Sequence, residues 1–160
     1  MTIDQKVIGD LTRTREADTL ADPAPQAAIR FVGVLLALAV AAVHVADQGG
    51  PAAFNSPDWM GWAYRLIEVG GVLTALVLLV PSLARLGWAA AALLGVGPFL
   101  GYLASRTVGV PGDPGDVGNW GYWVGTVSLF VEAALIVLSI GMLLALRRSA
   151  ASNAATAFEA

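Results

Sequence analysis

The chain has 160 residues, of which 57% are hydrophobic and 13% charged, with a mean hydropathy of +0.70; soluble domains carry about 25% charged residues, so the balance points to an integral membrane protein. The formal net charge is -3 and no basic patch or stripe is present, which excludes nucleic-acid binding through phosphate neutralisation. Cysteine is absent, which excludes disulfides, thiolate metal sites, iron–sulfur clusters and thiol catalysis, and leaves carboxylates, one imidazole, hydroxyls and the backbone for any chemistry.

Residues 1–26 are polar, carry both charge signs and contain Pro23 and Pro25. They predict a disordered tail with a short helix near Ile3–Leu11, serving as a solvated extension or a docking segment for a soluble partner. The mixed charge does not match a secretory signal, so the first span is expected to stay in the mature protein. Residues 27–46 form that span, about 20 residues or about 30 Å as a helix, with Arg30 at one end and His44 at the other. The segment DQGGPAAFNSPD that follows is a loop on composition, and Trp59 and Trp62 stand where interfacial aromatics belong.

The second span, 59–80, carries Arg65 and Glu68 in its first half and stops at Pro81. The short turn PSLARLG makes the second and third helices antiparallel neighbours. The third span, 88–105, contains Gly95, Gly97, Gly101 and Pro98. Gly97 and Gly101, four apart, predict close approach of another helix, and Pro98 predicts a kink through loss of the Leu94 carbonyl's partner. A loop rich in Gly, Pro and Asp leads to Trp120, Tyr122 and Trp123, and the fourth span, 120–146, ends on Arg147 and Arg148 before a Ser/Ala-rich tail expected to be unstructured. Lys6, Arg13, Arg15, Arg30, Arg85, Arg147 and Arg148 fall on the face of both termini, against Arg65 and Arg106 on the other. The positive-inside rule therefore predicts a multi-pass protein of the cell membrane with both termini cytoplasmic and both long loops outside. The expected fold is an all-α four-transmembrane-helix bundle whose constant partner is the lipid bilayer, with a second copy or another membrane protein as a further one.

A shift of 64 residues superposes Trp59 on Trp123, Gly61 on Gly125 and Glu68 on Glu132, a W-x-G-x6-E pattern at the start of the second and fourth spans. His44 falls opposite Val108, so the first and third spans do not share it. Duplication of a helical hairpin, which would be a parallel repeat, and coincidence in an apolar alphabet are both open.

His44, Glu68, Arg106 and Glu132 place one ionisable group in or at the mouth of each span, where such groups are costly. Helical rise sets Glu68 about 13 Å below Trp59 and Glu132 about 18 Å below Trp120, so all four share one half of the bundle. Tyr64, Tyr102 and Ser128 stand four residues before Glu68, Arg106 and Glu132 on the same faces. One reading is structural: Arg106 pairs with a glutamate, Arg65 meets Glu68 at a spacing of three, and His44 donates to a loop carbonyl, together fixing helix rotation in a bundle with no hydrophobic drive to associate. The other is a site that relays protons or binds a small polar ligand. His44, Glu68 and Glu132 are also a conceivable metal-ligand set, and His44 a conceivable haem ligand, although no Glu-x-x-His spacing is present. No nucleophile elbow, zinc-protease motif or phosphate-cradling loop appears, so no catalytic residue is assigned and a non-enzymatic accessory subunit or small binder is expected, with a membrane oxidoreductase as the alternative.

The string SRTVGVPG at 105–112, followed by Asp116, Gly118 and a span holding Glu132, resembles a family of small, functionally uncharacterised four-helix actinobacterial membrane proteins. Their pattern, a His near the outer end of the first span, an R-T-V-G-x-P loop and a Glu in the fourth span, maps onto His44, Arg106–Pro111 and Glu132. The resemblance implies the four-span topology and gives weight to the loop, but implies no activity. Physically, Gly109 permits a turn and Pro111 fixes the chain beyond it, so the loop is expected to aim Arg106 down onto a Glu or out to lipid headgroups.

Overall fold

The computed structural model describes residues 23–159, with side chains described for 25–154. The helix expected near Ile3–Leu11 lies outside the described residues. Four long helices follow in order: α1 (Pro23–Asp47), α2 (Asp58–Leu79), α3 (Ala84–Thr107) and α4 (Trp123–Glu159). Each contains a segment long and apolar enough to cross a membrane, and the described residues form no strand. The protein is an all-α four-helix bundle.

Several boundaries differ from expectation: α3 begins at Ala84, inside the turn expected over 81–87, α4 begins at Trp123 against 120, and two ends differ more tellingly. α1 starts at Pro23, because a proline in a first helical turn lacks only an N–H that has no partner there anyway. α4 runs to Glu159 through the segment expected to be unstructured, which is dominated by alanine, the strongest helix former. α3 is continuous through Pro98 and ends where Val108 and Gly109 both donate to the Ala104 carbonyl, with Gly109 at φ +81°. That left-handed residue is what lets the chain leave the helix and turn back.

The helices form a ring in chain order: α1 lies against α2 and α4, α3 lies against α2 and α4, and α2 does not touch α4. Polarity across the bundle is the reverse of a soluble protein. Phe31, Leu35, Leu66, Leu76, Leu93, Phe130 and Val137 are exposed, while His44, Glu68, Arg106, Ser128, Glu132 and Ser139 are buried. Apolar surface on that scale is stable in lipid and a liability in water.

The half of the bundle nearer the chain ends is a packed apolar core built on Trp88, Leu78, Leu135, Ala37 and Ala91, all 0% exposed. Two glycines make its close helix crossings: a Cβ on Gly71 would stand 2.7 Å from the Ala37 carbonyl oxygen, and one on Gly95 would stand 2.8 Å from Ile136. The role expected of Gly97 and Gly101 is therefore filled elsewhere, since a Cβ on either would meet nothing within 4 Å. The W-x-G-x6-E glycines do share an environment, Gly61 beneath the Phe54 ring and Gly125 beneath the Tyr102 ring.

Gly71→Ala is expected to lose about 1–3 kcal/mol through overpacking on backbone, whereas Gly97→Ala gains about 0.5–1 kcal/mol from helix propensity alone. Thermal unfolding in detergent followed by circular dichroism checks the opposite signs.

Candidate functional site

The four ionisable residues separate into two kinds of surroundings. Glu68 is wired: Arg65 donates to its Oε2 at 2.6 Å, as the spacing of three predicts, and Gln48 donates to its Oε1. Arg65 also donates to the Ala53 carbonyl at 2.5 Å. One helical turn of α2 thereby clamps the start and the middle of the loop that follows α1, and Glu68 is satisfied.

Arg106 pairs with neither glutamate. Its guanidinium meets the Asp116 carboxylate, stacks over Tyr102 at 4.6 Å and faces Tyr122 at 6.0 Å. The expected aim, onto a Glu or toward headgroups, is corrected by the loop's path. After Gly109 the chain folds back through a 3-10 turn at Pro114–Asp116, Gly118 donates to the Arg106 carbonyl at 2.9 Å, and Trp59 donates to Pro111 at 3.0 Å. The loop brings its own counter-ion to the arginine, a short-range solution that leaves the glutamates out.

His44 does not donate to a loop carbonyl. Its Nδ1 lies 2.8 Å from the Val40 carbonyl oxygen, one turn back in α1, and an acceptor there requires that Nδ1 carry the hydrogen. In the neutral ring Nε2 is then a bare acceptor, and it lies 3.8 Å from Glu132 Oε1, beyond hydrogen-bond distance. Ser128 donates to that same Oε1, as the spacing of four predicts. Glu132 is 1% exposed and its Oε2 has no hydrogen-bond partner. The Tyr64 ring stands edge-on to His44 at 5.3 Å, and the Tyr64 hydroxyl donates to Asp47. The Tyr122 hydroxyl also engages Asp47, and this hydrogen bond together with burial pushes its pKa up to about 12.

A cavity of about 840 Å³ occupies the loop-side half of the bundle, at the upper end of the range of small-molecule sites. His44, Tyr64, Tyr102, Arg106, Ser128 and Glu132 line it, whereas Arg65 and Glu68 do not. Among the described residues no group of three or more His, Cys, Asp or Glu is placed to hold a metal ion, and the conceivable set of His44, Glu68 and Glu132 is divided by the Arg65–Glu68 pairing. Asp47, Asp116 and Tyr122 also line the cavity. The sequence reading passed over them as loop acids and an interfacial ring, although Asp47, three residues after His44, lies on the same helix face and was open to detection. No match is found among protein families, curated proteins or solved structures.

The two glutamates are expected to answer differently to the same change. Glu68→Gln removes a charge from a partly buried pair and loses about 1–2 kcal/mol. Glu132→Gln removes an uncompensated charge while keeping the oxygen that accepts from Ser128, and unfolds at the same temperature or higher. Parallel thermal melts of the two variants in one detergent decide this.

Proposed function

We propose that the protein is a non-enzymatic multi-pass protein of the cell membrane, both termini cytoplasmic, whose cavity binds a small polar hydrogen-bond donor or a proton between His44 and Glu132. The observation that carries this reading is the unpartnered Oε2 of a fully buried Glu132 on the wall of a large cavity. A carboxyl placed to fix helix rotation would be spent on a cation, as Glu68 is. Glu132 has a hydroxyl on one oxygen and space beside the other, which is how a binding or proton-handling group is left.

A scaffold role is the second reading. The clamp of Arg65 and Glu68 on Gln48 and Ala53 and the salt bridge of Arg106 with Asp116 support it, because together they hold both loops as a firm surface at one end of the bundle. An oxidoreductase or metal- or haem-binding protein would have to start from the free Nε2 of His44, without a converging ligand set among the described residues. The R-T-V-G-x-P resemblance is compatible with the first two readings, since that string carries the arginine and the turn that rim the cavity.

The absence of cysteine makes water access measurable. Ser128→Cys, on the cavity wall, is expected to react in intact cells with a small membrane-impermeant cationic thiol reagent, while Ser139→Cys, 0% exposed on the same helix and away from the cavity, does not. An unreactive Ser128→Cys from both sides of the membrane would replace the binding reading with the scaffold; reaction only in inverted vesicles would reverse the orientation.

A further inference from the structure

The cavity's wall carries more information than the presence of Glu132. Its carboxylates are Asp47, Asp113, Asp116 and Glu132, against a single guanidinium, that of Arg106. Arg106 is committed to Asp116, and Asp47 takes tyrosine hydroxyls instead of a cation. The wall therefore carries more acidic than basic groups, with Glu132 the deepest and most buried of them. An anionic occupant would add to that excess in a low-dielectric space, and a neutral one would leave it uncompensated.

The hydrogen-bonding inventory points the same way. With Nδ1 of His44 given to Val40, the cavity offers Nε2 and, 3.8 Å away, the Glu132 carboxylate: two acceptors facing each other with no donor between. One nitrogen set about 2.9 Å from each satisfies both. A primary ammonium has three N–H donors, enough for His44, for Oε1 and for the unpartnered Oε2. The rings of Tyr64, Tyr102 and Trp59, also on the wall, are suitable neighbours for a cation.

Away from the loops much of the wall is apolar and reaches the side of the bundle. Leu66 of α2 and Leu93 of α3 both line the cavity, and each is 75% exposed on the outside of the bundle. The cavity therefore has a lateral mouth between α2 and α3, about 12 Å from the loop end at Leu66 and at hydrocarbon depth, besides its opening to water among the loop residues Asn55, Asp113 and Asn119. Gly97 and Pro98 continue this wall, and the absence of a side chain on Gly97 leaves the mouth wide. A charged head at His44 and Glu132 with an apolar chain leaving through this slot into the bilayer matches the deep and lateral parts of the cavity.

Resting on the binding reading above, we propose that the occupant is a lipophilic primary amine, its ammonium between Glu132 and His44 and its alkyl chain in the slot between Leu66 and Leu93. The test uses the full chain in lipid nanodiscs, with empty discs of the same lipid as the baseline. Dodecylamine is expected to bind above that baseline in calorimetric titration and to protect Ser128→Cys from the thiol reagent. Dodecyltrimethylammonium, with the charge but no N–H, and dodecanol, with a donor but no charge, bind at least about tenfold more weakly, and dodecyl phosphate does not bind. Glu132→Gln weakens dodecylamine about tenfold or more, about 1.4 kcal/mol. Gly97→Leu, whose Cβ would meet nothing within 4 Å and whose branch would enter the slot, does the same without lowering the unfolding temperature. Equal binding of dodecanol and dodecylamine, or undiminished binding by Glu132→Gln, would overturn the proposal. A Ser128→Cys that reacts but is never protected by dodecylamine sinks the amine and leaves the binding reading standing; a Ser128→Cys that never reacts sinks both.

Discussion

A carboxyl group on a helix surrounded by hydrocarbon has few tolerable places, and the arrangement of this bundle follows from finding one for Glu132. Hydrocarbon gives no drive for apolar helices to associate, so rotation and register are set by close contact and by where polar groups are hidden. α4 turns Ser128, Glu132 and Ser139 inward and Phe130 and Val137 outward. Gly95 of α3 comes within touching distance of the Glu132 carbonyl and Ile136. The same crossing that buries the glutamate holds the backbone beside it, so its position is tied to the tightest packing between the last two helices.

The acids of this half are allocated by chain distance. Arg65 takes the glutamate one turn away, Arg106 takes an aspartate from its own loop, and Asp47 takes the Tyr64 hydroxyl from α2 beside Tyr122, the residue before α4. The arginines take partners that a helical turn or a short loop delivers, and both are used before Glu132 is reached. His44, its neighbour from α1, points its hydrogen at its own helix. The result is a graded interior in which the satisfied charges hold the loops and the unsatisfied one sits beyond them.

The helices, their number and order, and the inward faces were legible in the sequence, because length, apolar content and i, i+3 or i, i+4 spacing act within one helix. Arg65 with Glu68 and Ser128 with Glu132 are both of that kind. Arg106 with Asp116 was not legible, since it depends on the path of a loop through Gly109, Pro114 and Gly118 that no periodicity encodes. The helical end of α4 was misread because a Ser/Ala-rich composition serves both a solvated tail and a helix. Gly97 and Gly101 were misread for another reason: a glycine pair that invites a neighbouring helix and one that borders an open space are written identically, and only the neighbours tell them apart.

The division of the bundle explains how it tolerates an unfilled space. Where the chain ends lie, Trp88 fills the centre against Gly33, and Leu78 and Leu135 close around it. That half supplies the packing on which the four helices rely when lipid contacts are no worse than helix contacts. The loop half is held instead by directional bonds at its rim, two arginine pairs and the tryptophan bond from Trp59 to Pro111. Side chains are thus free to be absent between the rim and the core, and α2 and α4 stand apart across the ring. The core and the cavity share a wall, since Leu94 belongs to both and Gly95 crosses beside Glu132, so the space is bounded below by the tightest packing and above by the bonded rim.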